Sequence, residues 1–205
     1  MKKRIISLVL VILVLIMSVS LMSCSGSGPK LEDVKERFIY LIENSKELNT
    51  IYFGKGLPIY EREGILAEQK GVYYNDTLTS YDKVMENSRY LSIDEIKERS
   101  EEIYSTEYLA ALYETAFDGI MTGSSSAYLR FFESADWIYQ NTYATDFDLS
   151  ERIYDYSTMQ IVTPSNNEYV NVIIDSYTLK DRKVKTVSLT FVYERGNWYL
   201  DSPTY

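Results

Sequence analysis

Thr186-Val187-Ser188-Leu189-Thr190-Phe191-Val192-Tyr193-Glu194-Arg195-Gly196-Asn197-Trp198-Tyr199-Leu200 decides the fold of this 205-residue chain. Val187, Leu189, Phe191 and Tyr193 alternate with Ser188 and Thr190, the period-2 pattern of a strand buried on one face. Arg195-Gly196-Asn197 has turn chemistry, and a further apolar run, Asn197 to Asp201, follows it. The same period extends upstream, so Arg152 to Val162, Tyr169 to Leu179 and Val184 to Glu194 read as strands. Thr163-Pro164-Ser165-Asn166-Asn167 and Lys180-Asp181-Arg182 make the turns between them. Four strands joined by short turns predict an antiparallel meander.

Before this region the period is 3.6. Leu31, Val34, Phe38, Leu41 and Ile42 predict an amphipathic helix over Lys30 to Leu48, with Pro29 at its start. Asn49 to Gly71 holds Gly54, Gly56, Pro58, Gly64 and Gly71, which excludes a long regular element. It also holds Ile51, Tyr52, Phe53, Leu57, Ile59 and Tyr60, so it reads as an ordered loop, with a short strand, packed on the body. Ser92-Ile93-Asp94-Glu95 has the spacing of a capping box and opens a second helix running through Ile96 and Ile103. Ser105-Thr106-Glu107 caps a third, carrying Tyr108, Leu109, Leu112, Tyr113, Ala116 and Phe117. Gly119 to Ser126 reads as a small-residue loop, and Tyr128 to Trp137 fits helix or strand equally. Helices first and a meander last predict an α+β fold, with the helices packed on one face of a curved antiparallel sheet.

The N-terminus is an address. Lys2, Lys3 and Arg4 precede an apolar run from Ile5 to Leu21, the make-up of a secretory signal. Leu21-Met22-Ser23-Cys24 resembles the lipobox of bacterial lipoproteins, and Cys24 is the only cysteine of the chain. The resemblance implies a diacylglyceryl group on the Cys24 thiol, cleavage before it, and anchoring on the extracytoplasmic face of the cell membrane. Two acyl chains suffice for a stable anchor. The chain then divides into a signal peptide, 1–23, a lipidated cysteine and flexible linker, 24–29, and a single α+β domain, 30–205. With 21 Lys and Arg against 30 Asp and Glu, loss of Lys2, Lys3 and Arg4 leaves 18 cations against 30 acids, a net −12. Such a surface repels phosphate polymers and argues against nucleic-acid binding.

Catalytic signals are weak. The chain has no histidine, which removes Ser-His-Asp, Cys-His and most zinc chemistry. Ser80-Tyr81-Asp82-Lys83 has the spacing of penicillin-binding enzymes, but Lys185-Thr186 is followed by Val187 where that chemistry needs glycine. Asp146-Phe147-Asp148-Leu149-Ser150 lacks the glycine and the final glutamate of a calcium loop. Glu101-Glu102 and the pair Glu133 and Asp136 have nothing to set them across a cleft. The reading is therefore no enzyme, no cofactor and no metal. The twenty tyrosines stand out, since a ring with a hydroxyl tip suits both half-buried strands and recognition surfaces. Tyr154, Asp155, Tyr156, Tyr177 and Trp198 are the candidate ligand or partner contacts.

The final hairpin, Thr186 to Leu200, resembles the last hairpin of nuclear transport factor 2-like (SnoaL-like, cystatin-like) domains. That implies a bent sheet wrapped around helices to form a cone-shaped pocket. Tyr90 to Ile96 followed by Ile103 to Tyr108 is similar to a stretch of the IseA-like inhibitors of cell-wall DL-endopeptidases, exported by Gram-positive bacteria. Together these imply a lipid-anchored, non-catalytic binding module at the cell envelope, which contacts a wall protein or wall fragment and inhibits a wall hydrolase. The alternative they imply is a small-ligand or weakly catalytic cone-fold domain.

Overall fold

The computed structural model describes residues 28–60, 81–118, 120–122, 126–141, 149 and 151–205. The signal segment, with Leu21, Met22, Ser23 and Cys24, lies outside them, as does most of the Asp146 to Ser150 stretch. Among the described residues, no helix is long and apolar enough to cross a membrane.

The fold is α+β, with helices first and a four-stranded antiparallel sheet last. Helix α1, Leu31–Phe53, buries Val34, Phe38, Leu41, Ile42, Leu48, Ile51 and Tyr52 along one stripe. It runs five residues past the expected end at Leu48, so Ile51, Tyr52 and Phe53 belong to a helix and not to a loop. Gly54 and Gly56 stop it, both amides returning to the Thr50 carbonyl at 3.0 and 2.9 Å. Helices α2, Ile93–Glu101, and α3, Thr106–Tyr113, start where expected. The Ser92 hydroxyl accepts from the Glu95 amide, and the Ser105 hydroxyl accepts from that of Tyr108. A π-turn, Glu114–Asp118, ends α3.

Strands β6, Arg152–Val162, β7, Tyr169–Thr178, β8, Lys185–Glu194, and β9, Asn197–Leu200, form the meander in the order β6-β7-β8-β9. Strand β6 is interrupted. Asp155 pairs with Asp175 and Gln160 with Ile173, so β6 advances five residues where β7 advances two. The bulge shifts the buried parity of β6 from Tyr154 to Met159. Thr158 replaces the lost ladder bond there by accepting from the Asp175 amide at 2.9 Å. The outer edge of β9 is covered by the α2–α3 connection, since Leu200 exchanges backbone bonds with Ile103 and Ser105.

Apolar burial joins α1 to this sheet. The Phe38 ring stacks on Phe191 at 3.8 Å with 7° between planes, and Trp198 meets Phe38 edge-on at 5.6 Å. One polar notch interrupts the stripe at Ser45 and Asn49, neighbours one helical turn apart. Thr204 fills it. Tyr104 donates to Asn49, Asn49 donates to Thr204, and Ser45 bonds both Thr204 and the Ile42 carbonyl.

Two further sheets depart from the sequence reading. The stretch read as a Gly119 to Ser126 loop contains β2, Ile120–Thr122, and β3, Ser126–Tyr128, paired as a hairpin. The undecided stretch resolves as strands: β4, Phe131–Ser134, pairs with β5, Trp137–Asn141. On the far side of β5 lies β1, Tyr81–Lys83, giving the order β1-β5-β4. The residues resembling a Ser-x-x-Lys motif thus lie on a strand, with Ser80 outside the described residues.

This small sheet is fastened to the end of α1 by polar side chains. Arg130, 3% exposed, donates to the Gly54 and Asn141 carbonyls, both at 2.7 Å, and lies 3.4 Å from that of Ile51. A guanidinium suits this place, because a helix C-terminus leaves carbonyls unpaired and partly negative. Gln140 is fully buried, accepting from the Leu57 amide at 2.6 Å and donating to the Lys55 carbonyl at 2.9 Å. The loop can wrap this amide because residue 56 is glycine. Its φ is +79°, and a Cβ there would lie 2.0 Å from Gln140 Oε1.

Candidate functional site

The five residues singled out in the sequence occupy three settings. Trp198, 8% exposed, is part of the α1–sheet core. Tyr154, 7% exposed, faces the same interior and donates to the Thr204 carbonyl at 2.7 Å. Tyr156 stacks beside it at 6.3 Å, is half-buried, and donates to the Glu43 carboxylate. Burial, then the Glu43 charge, hold the Tyr156 phenol above its ordinary pKa. Tyr177 is half-buried on the opposite face, across from Ile153. Asp155 is exposed in the β6 bulge. Bonds from the Ser157 hydroxyl, 2.6 Å, and amide, 3.0 Å, hold its carboxyl below the usual pKa. The structure brings Tyr154, Tyr156 and Trp198 onto one inner face, where they pack against α1 and do not surround an open cone. Asp155 and Tyr177 stand apart from them.

Two of the carboxylates weighed in the sequence are engaged structurally. Glu133 accepts from the Ile93 amide at the start of α2, and Glu102 pairs with Arg99 at 2.5 Å. Among the described residues, no group of three or more His, Cys, Asp or Glu gathers in metal-binding proximity.

Built from its residues upward, the small sheet has the better surface. Register places Lys83, Phe132, Tyr139 and Trp137 on its outer face, alternating with inward Phe131, Ile138 and Gln140. Phe132 and Tyr139 stack at 5.0 Å with 6° between planes. The Lys83 ammonium sits 3.0 Å from the Trp137 ring centroid and 5.7 Å from that of Tyr60, attracted by the negative ring faces. Beside Trp137 opens a cleft of about 280 Å³ with apolar walls from Val84, Leu91 and Ile138. Glu86 and Asp136 add carboxylates to it. Leu91 is 49% exposed, a large apolar side chain left in water at the rim.

The β4–β5 turn that carries Asp136 is strained. Ala135 and Asp136 both adopt the left-handed region, with φ of 49° and 63°. A tight hairpin of this twist asks for Asn-Gly, and alanine pays a steric penalty there. Sequence reasoning noticed Asp136 for its carboxylate and Lys83 for a Ser-x-x-Lys spacing, but missed Trp137 and Leu91 as surface residues. The available signal was a short Phe-Phe-Glu-Ser and Trp-Ile-Tyr-Gln alternation, hidden because the turn between lacks glycine. No family model matches this chain, and no curated protein is significantly similar to it.

Proposed function

We propose that this protein is a lipid-anchored binding module on the extracytoplasmic face of the cell membrane, held through Cys24, whose Trp137 cleft docks an envelope protein. The partner presents a basic segment, as an inhibited wall hydrolase would. The observation that carries this reading is the Trp137 cleft, where the half-buried Trp137 ring and the exposed Leu91 side chain lie beside Glu86 and Asp136. Aromatic side chains at the centre of a patch with charge at its rim are the usual make-up of a protein contact. The net −12 of residues 24–205 favours a basic partner and steers its approach. Support for an interior pocket is weaker, because Phe38, Phe191 and Trp198 fill the space between α1 and the sheet.

The test is capture from detergent-solubilised envelope by the immobilised full chain, with bound proteins read by mass spectrometry. The expected result is one enriched basic-surfaced protein, released by salt and lost with Trp137→Ala. Enrichment of nothing, or equal recovery with Trp137→Ala, would overturn the reading. Binding to purified wall polymer alone would replace the protein partner with a wall fragment.

A further inference from the structure

The backbone at Gly28 lies against the β6–β7 turn. A Cβ on that glycine would stand 3.1 Å from the Asn166 carbonyl oxygen and 3.3 Å from the Asn166 nitrogen. The turn is a rigid seat. Asn166 Oδ1 accepts from the Glu168 and Tyr169 amides, both at 2.8 Å, and the Ser165 hydroxyl donates to the Val162 carbonyl at 2.5 Å. The Tyr193 amide donates to the Glu168 carbonyl at 2.8 Å, which ties the β8–β9 hairpin to the same end of the sheet. Cys24 precedes Gly28 by four residues, and a leash of that length reaches at most about 14 Å when fully extended. An acyl anchor at Cys24 therefore keeps this turn close to the headgroups.

Helix α1 carries the chain away from that end. It starts at Leu31, meets Phe191 and Trp198 through Phe38, reaches Thr204 through Ser45 and Asn49, and ends at Phe53. Its 23 residues span about 34 Å. The small sheet sits at the far end, where Arg130 donates to the Gly54 carbonyl. The Trp137 cleft is there too. Its wall residue Leu91 follows Arg89 by two positions, and Arg89 pairs with Glu47 in the last two turns of α1. Along the helix axis, Glu47 and Phe53 stand roughly 25–35 Å beyond Leu31.

Charge sets how the domain stands on this leash. Thr163 to Asn167 carries no charged residue, whereas residues 24–205 carry 18 cations against 30 acids. Acids do occur at the tethered end, Glu32 and Asp33 in the first turn of α1 and Glu168 after the β6–β7 turn. That end is therefore held by the leash and not by attraction to lipid. An anionic lipid surface repels the acidic flanks and lifts the long axis off it. Given the Cys24 anchor of the proposed module, on which this rests, we infer that the β6–β7 turn faces the bilayer and the Trp137 cleft stands at the membrane-distal end. There the cleft is open to a partner in the wall space and out of reach of one lying in the membrane plane.

The test uses the lipidated protein in vesicles of phosphatidylcholine and phosphatidylglycerol. The lipid takes up the Cys24 thiol, so a thiol-reactive fluorophore goes to an introduced cysteine, Asn167→Cys or Ser134→Cys. Both positions are exposed, and Ser134 lies opposite Trp137 across the β4–β5 hairpin. Lipids carrying a nitroxide on the headgroup should quench the label at position 167 and leave the label at position 134 at its intensity without nitroxide. A Gly-Ser spacer of about twelve residues before Gly28, which adds roughly 20 Å of average reach, should relieve most of the quenching at position 167. Quenching at both positions, at neither, or at position 134 alone would overturn the inference. Quenching unchanged by the spacer would overturn the leash as its cause. On the same vesicles the partner should be recovered from a detergent-free salt extract of the wall, and recovery only from solubilised membrane would overturn the wall-space assignment. Failure of the protein to float with the vesicles would instead remove the anchor itself, and this orientation with it.

Discussion

Against α1, the four-stranded sheet presents Phe191, Leu189 and Trp198, whereas the three-stranded sheet reaches the end of the same helix with Arg130 and Gln140. The first contact is apolar area, non-directional and roughly proportional to what is hidden from water. The second is a set of directed bonds to particular carbonyls and amides. Each of these is modest when made, but its loss leaves a buried polar group unmet. The difference teaches that one chain uses two kinds of attachment. The large layer fails gradually as volume is removed, while the small sheet fails as a unit when one bond set is broken. The surface with the Trp137 cleft rides on the second kind.

The comparison breaks most visibly at Phe38. Replacing a fully buried ring that stacks on Phe191 with alanine removes transfer energy and leaves a cavity. Phe38→Ala should cost about 3–5 kcal/mol. Urea unfolding should show it as a lower midpoint with one cooperative transition for both sheets. A loss under 1 kcal/mol would mean that the α1–sheet interface is not the dominant core.

Arg130→Met comes next. It keeps the volume but leaves the carbonyls of Gly54, Ile51 and Asn141 without that donor, at a cost of about 2–4 kcal/mol. The place of the loss matters more than its size. Hydrogen exchange should accelerate in β4 and β5 while β7 and β8 stay protected, the pattern of a sub-global opening. Uniform acceleration across both sheets would show that they are not separately attached.

Legibility in the sequence divides along the same line. The meander is visible because apolar burial on one face imprints a period of two, as Leu189 and Phe191 on β8 and Val170, Val172 and Ile174 on β7 show. Caps at Ser92 and Ser105 are visible because N-capping uses few residue types. The end of α1 is obscured by Gly54, Gly56 and Pro58, which mark a stop but not its position. The β6 bulge leaves no period to read, since Ser157 and Thr158 act through single hydroxyl bonds. The small sheet is the least legible. Its β1 has three residues, its partner β5 lies far along the chain, and the hairpin turn is Ala135-Asp136. Of the candidate contacts, residue type suggested Trp198 and Tyr154. Type alone carries no exposure, and Trp137, the tryptophan beside the surface cleft, drew no notice.

Gly56→Ala tests the loop that the small sheet grips. The substitution forces a Cβ onto Gln140 at a left-handed φ, and should cost about 1–3 kcal/mol through strain and displacement of that amide. Pairing it with Gln140→Ala in a double-mutant cycle should recover part of the loss, because the clash disappears with the side chain. Strict additivity would show that the backbone conformation alone requires glycine.

The smallest effect belongs to an ionic contact on the rim of the large layer. Glu43 accepts from Tyr156 and pairs with Lys46 at 2.8 Å, and its side chain is 43% exposed. Burial works against its charge, but the bonds from Lys46 and Tyr156 outweigh it and hold the carboxyl below its ordinary pKa. A depressed folded pKa means that the contribution is fully present above the unfolded value, near 4.3, and is lost as pH falls through the folded one. Water and salt screen such a pair, so Glu43→Gln should cost only about 0–1 kcal/mol at pH 7. The difference between parent and variant should shrink toward zero in acid, and also in high salt at neutral pH. A difference that persisted in both conditions would assign the contact to the Tyr156 hydrogen bond and not to charge. Charge-assisted bonds of this kind occur at Glu43 and at Arg130, and their expected costs differ several-fold because one is open to water and the other is closed. Solvent access, more than the identity of the charged group, sets what each contributes to holding the two sheets on α1.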